Sequence, residues 1–243
     1  MPSSSLVEEY LAPLLAGNRV ACRKFVLDHI AKTHDPCTVY HDLLWPAMER
    51  VEKLYRGDRI NAASESMATR INRSLADQLQ LNLLRGDSNG KRILITCAPA
   101  EPEELGAQMS ADLFEARGWD VYFVGGGVPN DEILSLAGQL RPDILLIFGT
   151  QPAGVPGVRH LIDHIREIGI NPTMNIMVSG GVFNRADGLW KEVNADLVAK
   201  NAREAIPVAE AAEPRKPEPP RTGAPKKRRR RRRPPLLSKS DDD

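Results

Sequence analysis

Apolar positions along the 243-residue chain fall into two regimes, recurring at helical spacing up to about residue 85 and gathering into short continuous runs after residue 91. In the first regime Leu6, Tyr10, Leu11, Leu14 and Leu15 predict a helix that Ser4 and Ser5 can cap and that Gly17-Asn18 ends. A second helix is predicted over residues 19–33 from Val20, Val26, Leu27 and Ile30, with Asp35-Pro36 as its break. A third runs over about residues 38–55. A fourth covers about 60–84, with Met67, Ile71, Leu75, Leu79 and Leu83 on one stripe. Four helices of this size make a small bundle.

The second regime opens with Ile93-Leu94-Ile95, too short and too continuously apolar for a surface helix, and therefore a buried parallel strand. Strands over about 93–96, 121–124, 144–148, 176–178 and 196–199 alternate with helices over about 104–117, 130–140, 155–168, 186–193 and 202–212. Five such units predict an α/β fold with a doubly wound parallel five-stranded sheet, preceded by the small helical bundle. The polar, glycine-bracketed stretch 86–90 is the expected boundary, giving a bundle over 1–85, a sheet domain over 91–212 and a tail over 213–243.

Composition adds less. A hydrophobic content of 42% suffices for a core, and no apolar run reaches membrane-spanning length, so a cytoplasmic chain without a transmembrane segment is expected. Cys22, Cys37 and Cys97 are odd in number and form no C-x-x-C pair, so they read as buried, reduced thiols. The net charge of +1 conceals an asymmetry, because Lys226, Lys227, Arg228, Arg229, Arg230, Arg231, Arg232 and Arg233 form one uninterrupted basic run in a proline-rich, charged stretch that reads as disordered. Such a run binds phosphate backbones without reading sequence, so a nucleic acid or other polyanion is the expected partner; an anionic membrane surface or an acidic protein is the alternative.

Candidate chemistry converges on the carboxyl ends of the strands, where open α/β sheets hold their ligands. Glu101 and Glu103 lie in the first strand-to-helix loop, while Gly125-Gly126-Gly127 and Gly180-Gly181 follow the second and fourth strands. Each glycine cluster is either a strand-end turn or a place where a flat ligand approaches the backbone. A carboxylate pair at a helix start is equally a favourable interaction with the helix dipole. His160 and His164, one helical turn apart, read as an exposed helix face. His41 stands one turn before Trp45 and either reaches a ligand that Trp45 covered or is a partly exposed histidine of the bundle, the reading preferred. The chain has no G-x-S-x-G, no phosphate-binding loop and no G-x-G-x-x-G after the first strand, so it is not expected to be an enzyme in its own right.

The sequence Glu101-Pro102-Glu103-Glu104-Leu105-Gly106 resembles the acid-x-His-x-x-Gly signature of cobalamin-binding domains, with Glu103 where that family has its cobalt-ligating histidine. Phe148-Gly149-Thr150 falls where the family has Ser-x-Leu, and Gly180-Gly181 where it has its later Gly-Gly. Upstream, LLWPAMERVEKLYRGDRINAASE resembles the helical module that precedes this domain in corrinoid methyltransferase subunits and in light-sensing transcriptional regulators. There a tryptophan, followed about ten residues later by Glu-His, covers the upper face of the corrin ring. Here Glu65-Ser66 stands for Glu-His, and Tyr55 by spacing competes with Trp45 by residue type for the covering role. The resemblance implies a flavodoxin-like strand order 2-1-3-4-5 and a cobalamin bound without a protein histidine below the metal. It also implies a non-enzymatic sensor or regulator with a degenerate or histidine-free site for a corrinoid or related tetrapyrrole, with a corrinoid carrier subunit of a methyltransferase system as the alternative.

Overall fold

A computed structural model describes residues 4–216; the basic run at 226–233 lies outside the described residues. The chain begins with helices α1 (Ser4–Leu15) and α2 (Arg19–Thr33), whose ends follow from local chemistry: the Asn18 side chain accepts from the Ala21 amide, and His34 closes α2 in a left-handed conformation. Helix α2 is less amphipathic than its apolar spacing implied. Cys22 and Val26 are buried, whereas Val20 and Leu27 are exposed.

The predicted third helix is three pieces. Pro36 starts α3 (Pro36–Val39) under an Asp35 cap, because its fixed φ and missing N–H suit a first helical turn. A π-turn follows over Tyr40–Leu44 and runs into α4 (Trp45–Arg56). Pro46 explains the widening: it has no N–H for a normal helical bond and its ring crowds the preceding turn, and the Trp45 amide reaches back to the Tyr40 carbonyl. Helix α5 (Ala62–Gln80), capped by Asn61, is shorter than expected at both ends; Ile71, Leu75 and Leu79 are buried, but Met67 is exposed.

The sheet contains β1 (Arg92–Cys97), β2 (Asp120–Gly125), β3 (Ile144–Phe148), β4 (Asn175–Ser179) and β5 (Leu197–Ala199), all parallel, in the order β2-β1-β3-β4-β5. Alternation divides the side chains between two cores. Ile93, Ile95, Leu146 and Phe148 join the helical layer, α6 (Leu105–Ala116) and α11 (Ala202–Ala211) on one face. Leu94, Leu145, Ile147 and Val178 meet α7 (Asn130–Leu140) and α8 (Val155–Ile168) on the other. The helix expected over 186–193 is shortened to α10 (Leu189–Glu192), which starts after Gly188, whose φ of 80° a regular helix cannot accept, and a short helix that was not expected, α9 (Gly181–Arg185), precedes it.

The expected tail begins too early. The Arg215 guanidinium lies 3.0 Å from Asp196, its amide donates to the Thr173 carbonyl, and Asn175 donates to the Glu213 carbonyl, so residues 213–216 are held against the sheet. All three cysteines are free, and Cys37 is only partly buried. No described helix is long and apolar enough to cross a membrane.

Candidate functional site: a cavity between the helical layer and the sheet

The loop between β1 and α6 is fixed by its own carboxylates. Buried Glu101 accepts from the Thr150 amide at 2.6 Å, from the Thr150 hydroxyl at 2.5 Å and from the Glu103 amide at 3.3 Å, tying the loop after β1 to the loop after β3. Glu103 accepts from the Leu105 amide at 2.7 Å, where a negative charge suits the start of α6, and from Arg73 of α5 at 3.2 Å. Glu104 accepts from the Gly126 amide at 2.9 Å. The consequence is visible at Cys97, whose thiol is pushed up to about 12 by burial and then by these three negative neighbours.

Above this loop lies a cavity of about 1080 Å³. That is the upper end of small-molecule sites, which run roughly 300–1,000 Å³, so the space suits a large ligand. Trp45 and Tyr55 of α4 and Glu65, Ser66, Thr69 and Arg73 of α5 form its helical wall. Glu103, Gly106, Phe148, Thr150, Gly180 and Gly181 form the sheet wall. Of the twelve candidate ligand contacts, ten therefore line one space. Glu101 and Gly149 do not: Glu101 is committed to Thr150, and Gly149 packs on Ala98 and Phe183. The Gly125–Gly127 loop is also absent from the lining, because it ends edge strand β2 and is taken up by Glu104.

Both aromatic candidates reach the cavity, in different ways. Trp45 is nearly buried, its indole N–H donates to Glu49 at 3.0 Å, and its ring meets Phe148 edge-on with centroids 6.4 Å apart; Tyr55 is 42% exposed at the rim. Burial raises the Glu49 carboxyl despite that hydrogen bond, and burial with the nearby Glu103 charge raises Glu65. His41 does not line the cavity. The π-turn between His41 and Trp45 breaks the one-turn spacing that would put them on one face, and the imidazole is instead lowered by burial and by Arg203. His160 is exposed and His164 half-buried on α8, their rings tilted at 58° with centroids 5.7 Å apart, and no cluster of three or more potential metal ligands occurs among the described residues.

The glycines on the sheet wall are required sterically. A Cβ on Gly180, whose φ is 104°, would sit 2.3 Å from the Gly149 carbonyl oxygen; one on Gly106 would sit 2.3 Å from the Phe148 ring. Three contributors went unnoticed in the sequence. Thr69 is 6% exposed, lines the cavity and has a hydroxyl without a partner. Arg73 holds Glu103, and Arg185 pairs with Glu52 while donating to the Thr150 carbonyl at 2.5 Å. Thr69 and Arg73 follow Ser66 at helical spacing, so the face containing Ser66 was the signal; Arg185 offered none.

Two family models, each described as a B12 binding domain, match residues 6–80 and 91–210. The chain belongs to the B12-binding family. Dimethylamine corrinoid protein 1 of Methanosarcina acetivorans is 23% identical over 206 residues, covering 82% of this chain and 95% of that one. Monomethylamine corrinoid protein 1 of Methanosarcina mazei is 19% identical, covering 86% and 98%. The solved structure of the Methanosarcina barkeri monomethylamine corrinoid protein superposes with a TM-score of 0.76 at 17% identity, covering 84% of this chain and 97% of that one, a likeness of fold. A corrinoid of the B12 type is thus the ligand class. The cavity's size, its glycine-lined wall and the unpartnered Thr69 hydroxyl fit a corrin ring with hydrogen-bonding side arms. No imidazole lines the sheet wall, and the carboxylate standing there is already hydrogen-bonded.

Proposed function

We propose that this protein is a corrinoid-binding carrier of the methyltransferase type, which holds the ring between α4 and α5 above and the loops at the carboxyl edge of the sheet below. The observation that supports this most directly is one cavity lined by ten of the twelve residues expected to contact the ligand. The named relatives are methylamine corrinoid proteins, which favours a carrier over the sensor or regulator that the missing histidine first brought forward. When bound, the corrinoid supplies a cobalt centre that accepts and releases a methyl group.

The protein's own residues bind, orient and shield. Trp45 and Tyr55 cover the ring from the helical side, and the Trp45 indole is fixed in orientation by Glu49. Ser66 and Thr69 offer hydroxyls to amide arms; the Thr69 hydroxyl gains the partner it lacks. Gly180 and Gly181 let a flat ring approach the backbone, while Gly106 makes room for the Phe148 ring. Glu103 and Arg73, joined to each other, and Arg185, joined to Glu52, hold the helical layer against the sheet loops on either side of the ring. In this reading no side chain performs covalent chemistry.

The sensor reading retains one specific observation, the replacement of the metal-facing histidine by Glu103. Loading the purified chain with corrinoid and following bound absorbance, then labelled-methyl uptake in the presence of a methylamine corrinoid methyltransferase, separates the readings. Stoichiometric binding with methyl uptake is the expected result. Binding without uptake favours the sensor, and no binding overturns both.

A further inference from the structure

Phe148 is the last residue of β3, and its register partners are Cys97 on β1 and Ser179 on β4, so the three form a row across the floor of the sheet on the face beneath the helical layer. Of the three, only Phe148 lines the cavity. Its ring lies directly over Gly106, so close that a Cβ there would stand 2.3, 2.7 and 3.1 Å from three ring atoms, and it meets Trp45 edge-on. It is 5% exposed. Beside it in the row, the Ser179 hydroxyl is 1% exposed and has no partner. An apolar ring therefore fills the space over Gly106, in the same row as a buried hydroxyl without a partner.

Corrinoids differ in what they carry on the lower face. A complete cobalamin bears a nucleotide with a benzimidazole base there, whether or not the base is bound to cobalt; a cobinamide has the same ring and side arms without it. In the corrinoid reading above, the lower face would turn toward the sheet wall, where Glu103 is committed to the Leu105 amide and Arg73 and where Phe148 closes the floor. We propose that Phe148 is a specificity-determining residue that excludes the lower nucleotide, so that the cavity prefers cobinamide-type corrinoids over complete cobalamins. This rests on the corrinoid reading above and names which corrinoid.

Equilibrium dialysis of the full chain against dicyanocobinamide and cyanocobalamin tests it. Cobinamide is expected to bind at least about tenfold more tightly, in the range that steric discrimination in an apolar pocket provides. In Phe148→Ser, which opens the floor and exposes the Ser179 hydroxyl, the cobalamin-to-cobinamide affinity ratio is expected to rise by about tenfold, with Phe148→Leu between the two. Circular dichroism checks that each variant is folded, and Phe148→Leu provides the comparison if Phe148→Ser is not. Equal affinities in the parent chain, or a ratio that neither variant moves, overturns the proposal while leaving corrinoid binding intact. Binding of neither corrinoid by any of the three chains overturns the corrinoid reading as well.

Discussion

Replacing Gly106 by alanine puts one methyl group into a crowded spot of the sheet wall. The new Cβ would stand 2.3 Å from Phe148 Cζ and 2.7 Å from Cε2, where ordinary contact begins near 3.4 Å, so something must move by about 1 Å. The ring cannot swing freely, because it is buried and held edge-on by Trp45; Gly106 cannot retreat, because it is the second residue of α6. Overpacking of this kind costs about 1–3 kcal/mol. Replacing a helical glycine returns roughly 0.5–1 kcal/mol, so a net loss of about 1–2 kcal/mol is expected. If Phe148 is the obstacle, Phe148→Leu removes the clash, and the double variant should be less destabilised than the sum of the singles by roughly 1 kcal/mol, within the usual range for contacting residues. Urea unfolding followed by circular dichroism, with the slope checked for constancy, reads all four proteins. Additivity within about 0.5 kcal/mol would refute the placement of the ring over Gly106. Gly180→Ala is the contrasting case: its Cβ would meet the backbone carbonyl of Gly149 at positive φ, and no side-chain replacement should relieve it.

Asp112 is buried beside Tyr40, whose hydroxyl lies 3.0 Å away, and burial pushes its carboxyl up to about 6 despite that hydrogen bond. A raised carboxyl is more protonated in the folded chain than in the unfolded one, so its stabilisation is complete below about pH 4 and is lost as pH rises through about 6; relative to Asp112→Asn, the parent should lose roughly 3 kcal/mol over that window, at about 1.4 kcal/mol per pH unit, and parallel stability–pH curves would exclude it. Glu103→His returns an imidazole to the sheet wall and is expected to tighten corrinoid binding in equilibrium dialysis; unchanged or weaker affinity would mean that Glu103 does not face the ring's lower side. If the basic run gives the full chain salt-sensitive binding to DNA or RNA, deleting residues 217–243, which leaves the Arg215–Asp196 pair in place, should abolish that binding while the melting temperature stays constant; a full chain that binds neither refutes the expectation. Equal binding by the truncated chain would move the polyanion surface onto the described residues.

What the sequence disclosed and what it hid divide along physical lines. Strands buried on both faces announce themselves as continuous apolar runs, so 144–148 was placed to the residue, and glycines at strand ends pointed to the right edge of the sheet. Residue spacing was a weaker guide wherever the backbone departs from regular geometry. His41 and Trp45 appear one turn apart, but Pro46 widens the intervening turn to a π-helix and turns them to different surroundings. Likewise Gly188 delays the start of the helix expected over 186–193, and the short helix before it, which had no apolar period to announce it, ends in Arg185, the residue that reaches across to Glu52.

The same distinction governs how the missing histidine is read. The signature position alone presents Glu103 as a poor metal ligand, which makes the site look merely degraded. The hydrogen bonds show a carboxylate with other work: it accepts from the first amide of α6 and from an arginine of the helical layer, while Glu101 locks the neighbouring loop to Thr150. A neutral imidazole in its place could pair with Arg73 only weakly, so restoring the histidine would loosen one of the ion pairs joining the two layers. The substitution at Glu103 and the aromatic ring of Phe148 thus act in the same sense, toward a sheet wall that is closed and internally satisfied beneath the ring. Glu103→His combined with Phe148→Ser should therefore raise cobalamin affinity by more than the two changes do singly, and dialysis of the double variant measures that coupling.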